Sequence, residues 1–200
     1  RPFDFRIINY DLNKVVRHRF KTIYHILNNN IGLIFPRLCK ENFFNYGLVS
    51  NVLIDVALGG KNSGSETYFA PLYLYTNKNE NENLLEEIKE VNFTNTFKQF
   101  LKTNELSKKT PETILAYIYS ILYSPSYREK YYEFLKIDFP RIPFTKDIKL
   151  FENLSDLGQK LIDLHLLKTD FEKSIVSFPV ENANFNVETV NYENGKVFIN

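Results

Sequence analysis

The chain has 200 residues, 44% of them hydrophobic and 24% charged, with a formal net charge of +1. That length can bury one sizeable core, and no apolar run reaches the roughly 18 residues that cross a bilayer, so a single soluble, cytoplasmic domain with no membrane partner is expected. Cys39 is the single cysteine, which excludes an intramolecular disulfide, and with only three scattered histidines no structural zinc site is expected.

The neutral balance conceals an asymmetry. Residues 1–40 carry eight basic against two acidic side chains, a net of +6, while residues 151–200 carry four lysines against eight acids, a net of −4. A basic end on a neutral chain can form a local anion-binding face; scattered solvated charges would give the same count. Because the chain opens at Arg1 and contains no Met, it is expected to be a piece of something longer.

In chain order, "FRIINYD" (5–11) and "IGLIFPR" (31–37) have the β-branched and aromatic content of strands, with a helix over 15–27 between them. On that helix Val16, Phe20, Ile23 and Leu27 share one face, while Arg17, Lys21 and His25 fall in line on another. "LVSNVLIDVAL" (48–58) and "ETYFAPLYLY" (66–75) read as strands joined by the glycine-containing loop 59–65, and the Asn/Glu-rich stretch 76–90 as a surface excursion.

The second half reads as mainly helical. Thr110-Pro111 is an N-cap followed by proline at the first helical position, with Ile114, Leu115, Ile118, Ile121 and Leu122 as the apolar face. Ser124-Pro125 repeats the signal, Ser126 with Glu129 offering an alternative capping box, for a helix to about Ile137. Phe139 and Ile142 each precede a proline, which pushes them to extended angles and makes "DFPRIPF" a polyproline-like strap. Phe151, Leu154, Leu157, Leu161, Leu164 and Leu167 form a helical stripe within 147–167, where Gly158 allows close backbone approach. Asn194-Gly195 between two β-rich arms predicts a two-residue hairpin. The expected fold is α+β, a mixed or antiparallel sheet flanked by helices.

The long block "SPSYREKYYEFLKIDFPRIPFTKD" followed by "LFENLSDLGQKLIDLHLL", together with "YFAPLYLY", "RPFDFR" and "GKVFIN", closely resembles the C-terminal specificity region of type ISP restriction-modification enzymes and related adenine-specific DNA methyltransferases. It runs in order over most of the chain and is weakest over 76–110. The resemblance implies a target recognition domain over residues 1–200, excised from the C-terminal part of a parent that is a site-specific adenine methyltransferase with restriction activity and that in some members carries nuclease and translocase domains. It implies double-stranded DNA and the methyltransferase domain of the same chain as partners, S-adenosylmethionine as the parent's cofactor and none in this piece. In the family the chain continues beyond the "GKVFIN" strand, which implies truncation at Asn200.

The residues themselves offer little for catalysis. Adenine methylation needs an Asn/Asp-Pro-Pro-aromatic turn and a Gly-rich cofactor loop, and neither occurs. "GGKNSG" lacks P-loop spacing. Glu87-Ile88-Lys89 matches only the tail of a nuclease pattern, with Asp55 as a distant metal partner. Cys39 beside His18 or His25, and His165 within the leucine stripe, read as packed side chains. For DNA, positioning contacts are assigned to Arg17, Arg19, Lys21, Arg37 and Lys40, the densest basic cluster, and base readout to Lys61, Asn62, Ser63 and Ser65 in the polar interstrand loop; a solvated face and a plain hairpin connection are the alternatives. A motif shared by enzymes with different targets should be scaffold, so Tyr127, Arg128, Tyr131 and Arg141 are assigned to scaffold or interdomain contact, with Phe134 and Leu135 packing the helix and Arg128, near Tyr131 and Tyr132 but not faced by Glu129 or Glu133, expected to meet a partner. The alternative function is an interdomain scaffold that reads no bases.

Overall fold

The computed structural model describes residues 5–16, 19–38, 47–55, 58, 67–77, 87–169, 186 and 188–199. They fall in two compact units, residues 1–169 and 170–200. The elements are helices and small antiparallel sheets, an α+β architecture.

In the first unit, α1 (Phe20–Leu27) is shorter than the predicted 15–27. Asp11 holds the preceding residues in a turn, its carboxylate accepting from the Asn13 N–H at 2.9 Å and its carbonyl from those of Lys14 and Val15, and the helix starts only after Arg19, whose φ of 46° is left-handed. Its buried face is also rotated: Ile26 is buried and Ile23 half-buried, while Val16, Phe20 and Leu27 are exposed. Residues 5–11 form no strand, and Phe5, Ile7 and Ile8 lie exposed.

β1 (Gly32–Pro36) is the centre of a three-stranded antiparallel sheet between β2 (Leu48–Ser50) and β3 (Thr67–Pro71), with Ile34 opposite both Leu48 and Phe69. The predicted strand 48–58 stops at Ser50, where the Ser50 hydroxyl donates to the Val52 carbonyl and accepts from the Val52 N–H, bending the chain away. The predicted strand 66–75 is two strands in two sheets. Pro71 has no N–H to continue the ladder, and Leu72 then donates to the Ile31 carbonyl at 2.8 Å and accepts from the Asn92 N–H at 2.9 Å. β4 (Tyr73–Asn77) pairs instead with β5 (Glu87–Val91), Tyr75 opposite Lys89. Part of the expected excursion is therefore a charged edge strand, the usual protection of an open sheet edge.

α2 (Asn95–Thr103), not assigned from the sequence, is capped by the Thr94 hydroxyl, which accepts from the Phe97 N–H. α3 (Pro111–Tyr123) is capped by Thr110 as predicted and is buried nearly all round. One side, with Ile114, Tyr117, Ile121 and Leu122, joins Leu101, Leu106, Tyr127, Leu135 and Phe151. The other, with Leu115, Ala116 and Tyr119, packs on Val49, Leu72 and Ile162. Ser124 ends α3 and caps α4 (Pro125–Lys130); a break at Tyr131 separates it from α5 (Tyr132–Ile137), so the single predicted helix is two short ones.

The 138–146 segment is the expected strap, without regular structure. Tyr117 clamps it, its hydroxyl donating to the Pro143 carbonyl at 2.8 Å and accepting from the Thr145 N–H at 3.1 Å. α6 (Ile148–His165), capped by Asp147, lies along α3 through Phe151, Ser155, Gly158 and Ile162. The predicted stripe is thus turned: Leu157, Leu164 and Leu167 are exposed.

In the second unit, β6 (Val190–Glu193) and β7 (Lys196–Ile199) form the predicted hairpin. Asn194 and Gly195 have φ of 51° and 76°, the two positive angles that a two-residue turn of this hand requires.

Candidate nucleic-acid interface

Among the residues assigned to DNA, Arg17, Lys40, Lys61, Asn62, Ser63 and Ser65 lie outside the described residues, as do Cys39 and His18. Arg19 and Lys21 are both exposed at the start of α1. The predicted basic row does not continue to His25. That ring turns inward, its Nδ1 accepting from the Tyr75 N–H at 3.0 Å, and burial holds the imidazole below its ordinary value. The neutral ring that this bond requires ties α1 to β4 and offers no charge to an anion.

Arg37 stands at the end of β1, with its side chain 60% exposed. Its guanidinium lies 3.6 Å from the Asp138 carboxylate and 5.9 Å from the centre of the Phe139 ring. Phe139 in turn meets Phe35 and Tyr68 edge-on, at 5.5 and 5.2 Å. The result is a partly exposed aromatic ledge, carrying one cation, where the strap crosses the three-stranded sheet. An exposed ion pair of this kind contributes about 0–1 kcal/mol, so exchanging Asp138 for a phosphate costs little. The ledge was not legible in advance because β3 supplies Tyr68 and the strap supplies Phe139, from opposite halves of the sequence.

The residues assigned to scaffold lie on α4, at the break after it and on the strap. Tyr127 is buried and donates to the Arg141 carbonyl at 3.0 Å; Tyr131 packs at 5.1 Å from it, and the Arg141 side chain is exposed. Leu135 is buried, but Phe134 faces solvent. Arg128 does not project toward a partner as expected: it lies over the Tyr123 ring at 4.6 Å, and its Nε donates to the Leu122 carbonyl left open at the end of α3. Its neighbour Tyr119 is fully buried and shares a hydrogen bond with His165 Nδ1. Burial raises the Tyr119 hydroxyl and lowers the His165 imidazole from their ordinary values, which favours the neutral form of each.

A groove of about 720 Å³ opens beside β2, lined chiefly by apolar side chains including Phe5, Ile8 and Val49, and also by Asp55 and His165. Lys89, of the nuclease-like triplet, lies 3.8 Å over the Tyr73 ring. Among the described residues no three His, Cys, Asp or Glu side chains are grouped to hold a metal ion, and no helix is long and apolar enough to cross a membrane.

Solved structures similar to this chain include a DrdV–DNA complex, at 26% identity and a TM-score of 0.56 over 74% of this chain. The ATP-dependent Type ISP restriction-modification enzyme LlaBIII bound to DNA matches at 24% identity and 0.60 over 86%. A nuclease-deletion mutant of the Type ISP enzyme LlaGI, in complex with a DNA substrate mimic, matches at 20% identity and 0.56 over 90%. The match spans only 13%, 11% and 15% of those chains respectively. No curated protein matches the chain. The family model described as the Type ISP C-terminal specificity domain matches residues 1–200, the whole chain, which therefore belongs to that family.

Proposed function

We propose that this chain is the DNA target recognition module of a Type ISP restriction-modification enzyme. The observation that carries the reading is the match of the specificity-domain family over all 200 residues; the DNA bound in the similar structures agrees with it. On this reading the module works in the cytoplasm, joined to the methyltransferase domain of a longer polypeptide that uses S-adenosylmethionine to methylate adenine. The module contributes binding energy that depends on sequence, and the chemistry belongs to the other domain. Arg19, Lys21 and Arg37, with Arg17 and Lys40, contact phosphates, and Lys61, Asn62, Ser63 and Ser65 meet base edges. The exposure of Arg19, Lys21 and Arg37 supports the first assignment.

Titrating labelled duplexes with the chain at several salt concentrations tests the reading. Affinity is expected to fall as salt rises, through counterion release, and Arg19→Ala with Arg37→Ala should weaken all duplexes alike and reduce the salt slope by about two. A response independent of salt would remove the phosphate contacts, and salt-dependent binding without sequence preference would favour a scaffold that reads no bases.

A further inference from the structure

A second concavity, of about 240 Å³, lies among β4, β5, α3 and α6. Six polar side chains from six places in the fold stand around it: Asn29 before β1, Asn51 after β2, Lys89 on β5, Glu112 in the first turn of α3, Gln159 on α6 and Lys168 beyond it. Three are held by neighbours. Glu112 accepts a hydrogen bond from the Tyr73 hydroxyl, Lys89 lies over the Tyr73 ring, and Gln159 Nε2 donates to Asp163 at 3.0 Å. Asn30, also at this site, has no capacity to spare: its amide donates to the His25 and Tyr73 carbonyls and accepts from the Ile31 and Tyr73 N–H groups. Asn30 is therefore held in place, and the other six share the lining with Tyr73, Ile31, Leu115, Ile162 and Leu166.

The volume lies below the roughly 300 Å³ at which pockets for drug-sized ligands begin, so the occupant is a single small group. Two lysines alone would suit phosphate. The Glu112 carboxylate only accepts hydrogen bonds and repels an anion, whereas three amides each donate and accept. A lining of that mixture matches a ligand presenting donors and acceptors on one flat edge. Asn and Gln pair with the amine and ring nitrogen of adenine, and a carboxylate accepts from the amine of cytosine.

We infer that this concavity reads the edge of one nucleobase bearing an exocyclic amine, with Asn51, Gln159 and Glu112 as specificity-determining residues and Lys168 as a phosphate contact beside it. The inference rests on the target-recognition reading, and it adds a second reading site to the interstrand loop.

The test is selection of bound duplexes from a randomised pool by the 200-residue chain and by its Asn51→Ala, Gln159→Ala and Lys168→Ala variants, all at exposed positions. Asn51→Ala and Gln159→Ala are each expected to lower discrimination at the same base-pair position, by about five- to hundredfold, with thermal unfolding unchanged. Lys168→Ala should weaken every sequence equally. If the unsubstituted chain selects a sequence that both amide variants retain in full, or the variants lose affinity uniformly, this inference falls while target recognition stands. If the unsubstituted chain selects nothing, both fall. Titration with deoxyadenosine and deoxycytidine alone distinguishes the source of the base: saturable binding that Glu112→Gln abolishes would make a free nucleoside the occupant and overturn the DNA assignment.

Discussion

Replacing Gly158 by Ala tests the packing that holds the first unit together. Gly158 faces the Ala116 backbone where α6 crosses α3, and a Cβ built there would lie 1.8 Å from the Ala116 carbonyl oxygen and 2.6 Å from its carbon, against 3.4 Å for ordinary contact. Both atoms belong to a helical backbone buried between Tyr117 and Leu115, so no rotamer change relieves the clash, and the helices must separate by about 1.5 Å in a close-packed interior. Alanine gains about 1 kcal/mol of helix propensity over glycine. Overpacking costs 1–3 kcal/mol, occasionally more, and a backbone contact this short belongs at the upper end. The net loss is about 2 kcal/mol or more, a fall in Tm of roughly 4–8 °C for a chain of this size. Leu157→Ala, one residue away and 54% exposed, should stay within about 0.5 kcal/mol. Urea and thermal unfolding of the three proteins decide between these expectations, and a Gly158→Ala variant as stable as the parent would refute the close approach of α6 to α3.

Tyr117→Phe removes the hydroxyl that clamps the strap at Pro143 and Thr145, and should cost about 1–3 kcal/mol while accelerating hydrogen exchange at the Thr145 amide; unchanged exchange there would contradict the clamp. Burial holds the His25 and His165 imidazoles below the ordinary 6.5, so the unfolded chain binds protons more readily than the folded one. Their contribution is complete above about pH 6.5 and is lost as pH falls through the lowered folded values; stability should therefore decline from pH 7 to 5, and His25→Gln should flatten the decline. Equal pH slopes in His25→Gln, His165→Gln and the parent would refute this. Asp147→Ala should cost about 1 kcal/mol through loss of the α6 cap, measured by urea unfolding.

The features legible in the sequence were those fixed by local backbone chemistry. Thr110-Pro111 and Ser124-Pro125 mark helix starts because hydroxyl and ring act on adjacent N–H groups, and Asn194-Gly195 marks a turn because few residue pairs accept two positive φ angles. Faces and pairings were less legible because a distant partner selects them. α6 buries Ser155 and Gly158 in place of Leu157 and Leu164 because close contact with α3 favours small residues there. β5 gives no hydrophobic signal, since its partner is β4 and its surroundings are an exposed edge. The same holds for the candidate site. Charge counting located the exposed cations Arg19, Lys21 and Arg37, but the inward turn of His25 depends on Tyr75, fifty positions away. The family itself was legible through the long 124–167 block, most of which forms α4, α5, the strap and α6.

The most direct test of target recognition is to graft residues 1–200 in place of the matching domain of a Type ISP enzyme whose target is known, and to sequence the adenines that the chimera methylates. The account predicts that the methylated motif changes to a new one set by this chain. An active chimera that still methylates the original motif would contradict it.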